Sequence, residues 1–218
     1  MSDFNPAAVR ESSWRQVEHE GLRSNSNLPL LDSDLSVHQS IQAIGARILC
    51  MFVMASRAFG FPLDATNAWI DREGLRDSLS QAERSFLIGG NPMLVLEMQI
   101  QIESLYSLAW CVSLVNGFSV PGRVPDDLIS CFPDLREFET SNAFRGRLFL
   151  RPREELLAQL DAAYCFHWAW RDARLSLKRM RVNHEAIVGE RRKALEWIMS
   201  DEAWYDVPQS YTWEQAAE

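Results

Sequence analysis

Four charged residues set among apolar neighbours hold most of the chemistry open to this chain: Glu103, Asp161, Arg151 and Arg191. Glu103 precedes the most apolar part of the segment 93–116, where a carboxylate without a partner is costly to bury or takes up a proton. Asp161 lies between Leu157 and Tyr164 and beside Leu160, on a helix beginning at Pro152. Arg191 shares a face with Ile187, Ala194 and Ile198, so helical spacing turns its guanidinium inward. Two uses follow from such a set. As buried ion pairs these residues would fix how three helices register. As a polar pocket they would bind a small polar ligand or carry out general acid–base chemistry, because paired acids in unlike environments acquire different pKa values. The ion pairs are the more economical expectation, and no residue is assigned a catalytic role.

Tyr164, His167 and Trp168 would form the aromatic wall of that pocket, or a platform for a flat ring. Their helical spacing is equally what a core-facing stripe requires, and core packing is the simpler account. His167 has no nucleophile beside it in sequence, and His19, His38 and His184 form no ligand-spaced pair. Cys50, Cys111, Cys131 and Cys165 are far apart and flanked by apolar residues, the setting of buried thiols. No metal and no cofactor is therefore expected, and phosphate-loop and dinucleotide signatures are absent.

The elements that must position these groups are helical. Ile41, Ile44, Ile48, Phe52, Ala55 and Phe59 lay one apolar stripe along 36–60, ended by Gly60 and Pro62. A short helix follows to Arg72, and Ser80 with Glu83 forms a capping-box pattern before Phe86 and Leu87. Residues 93–116 are long enough for six turns, with the apolar second half as a central helix. The Pro-rich 118–133 reads as a loop with one short helix at 126–131, and the basic stretch 144–151 as a connection that leaves room for a short hairpin. From Pro152 a second long helix runs through Leu157, Leu160, Tyr164, His167, Trp168 and Leu175. A last helix spans 184–199. The expected fold is all-α: a single compact, non-repetitive helical domain with two long central helices over 36–200, a partly ordered N-terminal extension at 1–35, and an acidic tail at 201–218 whose Trp204, Tyr211 and Trp213 dock on it.

Eight Trp and eleven Phe supply a dense aromatic core. A net charge of −8 disfavours a general nucleic-acid binder, which must neutralise many phosphates. The basic run of Arg171, Arg174, Lys178, Arg179, Arg181, Arg191, Arg192 and Lys193 is expected to meet the acidic tail rather than an anionic partner. The apolar stretch 48–55 is too short to span a bilayer, 93–115 is interrupted by Glu97 and Glu103, and 1–36 has no signal-peptide pattern, so a cytoplasmic location without membrane is expected.

The chain also resembles the bacterial family of unknown function numbered 4272. The likeness rests on Asn27-Leu28-Pro29, Arg47 and Arg57, Trp69-Ile70, Glu83, Phe86-Leu87, Glu103 and Leu108-Ala109-Trp110. It continues through 149–152, Glu155, Asp161, Trp168, Arg171-Asp172, the run 190–197, Trp204, Val207 and Thr212. The resemblance implies an all-helical bacterial cytoplasmic domain and transfers no catalytic residue. The expected function is a non-catalytic helical binding protein acting on another protein, as a toxin-immunity or adaptor partner. The alternatives are a small-ligand-binding protein or enzyme built on the Glu/Asp/Arg cluster, and a nucleic-acid-associated protein using the basic run.

Overall fold

The computed structural model describes residues 4–89, 92–176 and 184–207. The basic residues Lys178, Arg179 and Arg181 and the tail aromatics Tyr211 and Trp213 lie outside them. The described residues hold α1 (Pro6–His19), α2 (Ile41–Ala58), α3 (Leu63–Arg72), α4 (Gln81–Ile88), α5 (Pro92–Ile100), α6 (Ile102–Cys111), α7 (Asn142–Arg145), α8 (Arg153–Leu175) and α9 (His184–Ile198), with 3-10 turns at Arg76–Ser78 and Leu128–Cys131. No strand occurs among the described residues, including the stretch where a hairpin was conceivable. The fold is all-α, as the apolar periodicity requires.

The chain divides into two compact units. The first comprises Met1–His38, Ser119–Gly122 and Arg151–Glu218, the second Gln39–Phe118 and Arg123–Leu150.

In the first unit α8 packs against both α1 and α9. Helix α1 falls within the expected N-terminal extension. It starts because the Asn5 side chain accepts from the amides of Ala7 and Ala8, with Pro6 in the first turn, where a missing N–H costs nothing. Its buried face is Arg10, Ser13 and Val17, two polar residues out of three. Pro152 caps α8 rather than opening it, and Glu154 and Glu155 lie in the first turn, where the helix dipole favours negative charge. Leu157, Leu160, Tyr164 and His167 are buried as their spacing predicts, whereas Trp168 is half-buried and Leu175, the last residue of α8, is 64% exposed.

In the second unit α2 is the most enclosed element, burying everything from Ile44 to Ala55 except Ala46. By length and composition this 18-residue helix could cross a membrane, and most of it is buried against α3, α5 and α6. Ser80 and Glu83 make the expected capping box at the start of α4. The six-turn helix over 93–116 is corrected. The backbone turns at Gln101 between α5 and α6, and α6 stops at Cys111, with Ser113 in the left-handed region (φ 61°). The two halves meet different surroundings: α6 is buried from Ser104 to Cys111, while α5 buries only Met98. No Pro or Gly marks the break, so packing rather than local sequence sets it.

Candidate functional site

Asp161 is the best-defined of the charged residues singled out above. Its carboxylate is buried on α8 and receives a fork from Arg10 of α1, with the Arg10 Nη2 2.8 Å from Oδ1 and Nε 3.1 Å from each oxygen. The same guanidinium donates to the carbonyls of Leu28 and Pro29, each at 2.7 Å. One buried cation thus ties a helix start, a loop and α8 together. The bidentate geometry is the form in which a guanidinium compensates a desolvated carboxylate. Although burial works against the charged form, the hydrogen bond that Arg10 donates to Asp161 leaves the Arg10 pKa raised. Ion pairing was the expected use of Asp161, but its observed partner is a residue that sequence reasoning passed over.

Tyr164, one turn further along α8, has two cations by its ring. The Arg10 guanidinium carbon is 5.6 Å from the centroid and that of Arg192 is 4.7 Å away. Arg192, on α9, also pairs with Glu196, and its Nη1 lies 3.4 Å from Nδ1 of His167. Burial, then the charges of Arg192 and Arg171, push the His167 pKa down to about 4, so its ring is neutral at physiological pH. Burial raises the Glu196 carboxyl against the opposing pull of Arg192.

Arg191 is buried, as its face predicts, and its Nη1 donates to the carbonyls of Ser119, Val120 and Gly122 at 2.7–2.9 Å. It holds the short segment through which the chain re-enters the first unit. Arg151 is half-buried beside Glu155, one turn along the chain. Glu103 is half-buried in the first turn of α6, in the second unit. Of the aromatic wall, Tyr164 and His167 join the polar core and Trp168 stays half-buried. In the basic run, Arg191 and Arg192 face inward, and the Lys193 ammonium sits 4.9 Å from the Trp204 ring and 4.8 Å from that of Tyr205.

Cys50 and Cys165 are buried and pushed up to about 12, in both cases chiefly by burial, and Cys111 is buried as well. Cys131 is half-buried. Among the described residues no group of His, Cys, Asp and Glu is arranged to hold a metal.

The second unit carries a groove of about 650 Å³, half open to solvent, in the region read from sequence as a loop. Phe52 and Ser56 come from α2, and Phe61 follows the left-handed Gly60 (φ 103°) that turns the chain back. Ile129 and Ser130 come from the 3-10 turn, and the other wall is formed by residues between Phe132 and Glu139. The floor is well packed: the Phe52 and Phe132 rings stack at 4.8 Å, and Phe132 meets Phe144 at 6.0 Å. Ile129 remains 65% exposed at the edge. The loop owes its shape to its own polar groups. Trp69 Nε1 donates to the Glu139 carbonyl (2.8 Å), the Glu139 carboxylate accepts the Asp134 amide (2.9 Å), and Arg136 forks onto Asp134. A signal for this site was present in the residues: Leu128, Ile129, Phe132, Leu135 and Phe138 are more apolar material than a solvated connection needs.

The chain belongs to the family described as Domain of unknown function (DUF4272), whose model matches residues 9–207. No curated protein and no solved structure matches it. Arg10 and Asp161, the groove and the polar core all lie inside the matched span.

Proposed function

We propose that this chain is a bacterial cytoplasmic helical binding protein that works without catalysis, by holding another protein in the groove floored by Phe52, Phe61, Phe132 and Leu135. An immunity or adaptor role is the setting in which such a protein acts. Support comes above all from one observation, the half-open groove of about 650 Å³ with Ile129 65% exposed at its edge. An apolar concavity on a stable aromatic floor is where a partner side chain gains most from leaving water. A scaffold role for the polar core is supported by the engagement of Asp161 with Arg10 and of Arg10 with two backbone carbonyls.

The test is affinity purification from the native host with three forms of the protein. Ile129→Lys places a charge at the groove edge. Leu175→Lys, at a position 64% exposed on α8, serves as the surface control. The wild type and the α8 variant should recover the same protein in stoichiometric amount and Ile129→Lys should lose it, with circular dichroism unchanged. Undiminished recovery by Ile129→Lys would remove the groove from the function.

A further inference from the structure

The outer face of α1 carries polar side chains that the fold itself does not use. Ser12, Gln16 and His19 follow one another at helical spacing with Arg15 beside them, on a face apart from the buried Arg10, Ser13 and Val17. Together with Glu20 they line a cleft of about 500 Å³ that is mostly open to solvent. The rest of the lining is Ser119, Pro121 and the buried Phe166 of α8, and all of these residues belong to the first unit. Ser119 is held in place, because the buried Arg191 donates to the carbonyls of Ser119, Val120 and Gly122.

The groove of the second unit spends its hydroxyls on its own backbone, Ser56 on the Phe52 carbonyl and Ser130 on that of Asp127. In the cleft the reverse holds. The side chains of Ser12, Gln16 and Ser119 make no hydrogen bond among the described residues. Arg15 turns Nε to the Glu11 carbonyl of its own helix at 3.2 Å, and the His19 Nδ1 lies 4.0 Å from a Glu20 oxygen. The fixed charges of the lining are one cation, Arg15, and one anion, Glu20; outside it Glu11, Glu18 and Arg23 are exposed, so neither sign dominates. An anionic ligand would meet Glu20 and an amine would meet Arg15, each a like charge. A hydroxyl suits both, donating to Glu20 and accepting from Arg15, and with serine, glutamine or imidazole it can do either.

Beyond the holding of a protein in the groove, we infer that the α1 cleft binds a small uncharged polyhydroxy compound, a monosaccharide in its simplest form. Its hydroxyls engage Ser12, Arg15, Gln16 and Glu20, and its C–H face lies on Pro121. The volume falls within the range of about 300–1,000 Å³ usual for small-molecule sites.

Saturation-transfer-difference NMR of the full chain with glucose, galactose and mannose tests this, with glucuronate and protonated glucosamine titrated alongside. At least one neutral hexose should bind saturably and more tightly than either charged sugar. Ser12→Trp, which fills the cleft from an exposed position, should abolish binding. Ser12→Ala combined with Gln16→Ala should weaken it about tenfold, the effect of two lost hydrogen bonds. Ile129→Lys, in the groove of the other unit, should leave it unchanged, so that a failure of the cleft and a failure of the groove are read apart. Each variant should keep the circular dichroism of the wild type. No saturable binding of any of the three hexoses overturns the inference, as does tighter binding of either charged sugar or undiminished binding by Ser12→Trp.

Discussion

At the scale of single residues, the Arg10–Asp161 pair is unequal in its two halves. Asp161 accepts from one guanidinium and, at 3.9 Å, from the Cys165 thiol, whereas Arg10 serves a carboxylate and two carbonyls. Asp161→Leu leaves a buried cation and should cost about 3–5 kcal/mol. Arg10→Met should cost more, because the Leu28 and Pro29 carbonyls also lose their donor. The double variant should recover the charge part of the loss and keep the carbonyl part, a coupling that urea denaturation of all four proteins measures. Additive losses would refute direct pairing. His167 makes a different prediction. Its folded pKa lies near 4, below the 6.5 of an exposed histidine, so between these values the unfolded chain holds the extra proton and stability falls as pH drops from 6.5 to 4. The loss amounts to about 3 kcal/mol over that window. Glu196, raised by burial, works in the opposite direction, destabilising the fold as pH rises through the acid range, and offsets part of the loss. His167→Gln removes the histidine contribution, so its stability should decline less between pH 7 and pH 4.5 than that of the wild type. Parallel acid limbs would disprove this. Asp161 and Arg191 were legible as inward-facing because each sits at core spacing among apolar residues. Arg10 was not, since its partner is 151 residues away and helical spacing reports only neighbours a few residues apart.

At the scale of elements, legibility followed the source of each helix's stability. Helices α2, α8 and α9 carry apolar stripes, and α4 carries its capping box, so their presence shows in the spacing of residues. Helix α1 buries Arg10, Ser13 and Val17, a face that apolar periodicity cannot detect, although Asn5-Pro6 is a start signal in plain view. The break at Gln101 lay beyond reach because both sides of it read as good helix and only tertiary packing separates them. The groove was overlooked for a related reason: its lining is shared between α2, Phe61 and the segment 129–139, and no local pattern joins them. Glu83 shows how one residue can serve two levels. It closes the capping box on Ser80 and is buried against Arg47 of α2. Ser80→Ala removes only the cap and should cost about 1 kcal/mol. Glu83→Ala removes the cap and the buried charge together and should cost about 3–5 kcal/mol. Equal losses in chemical denaturation would mean that the buried pair contributes nothing beyond the cap.

At the scale of the whole molecule, the order of residues along the chain differs from the order in which the parts can be completed. The first unit draws on three separate stretches, and the whole of the second lies between them in sequence. A ribosome working from the N-terminus therefore releases α1 long before α8 exists. Arg10 emerges 151 residues ahead of Asp161, which at about 5–20 residues per second is a delay of about 8–30 s. The second unit can assemble during that interval. Helix α1 can pack only once α8 has been made, its cation hydrated until then, and the polar face that hides α1 from a search for apolar stripes is what suits it to water in the meantime.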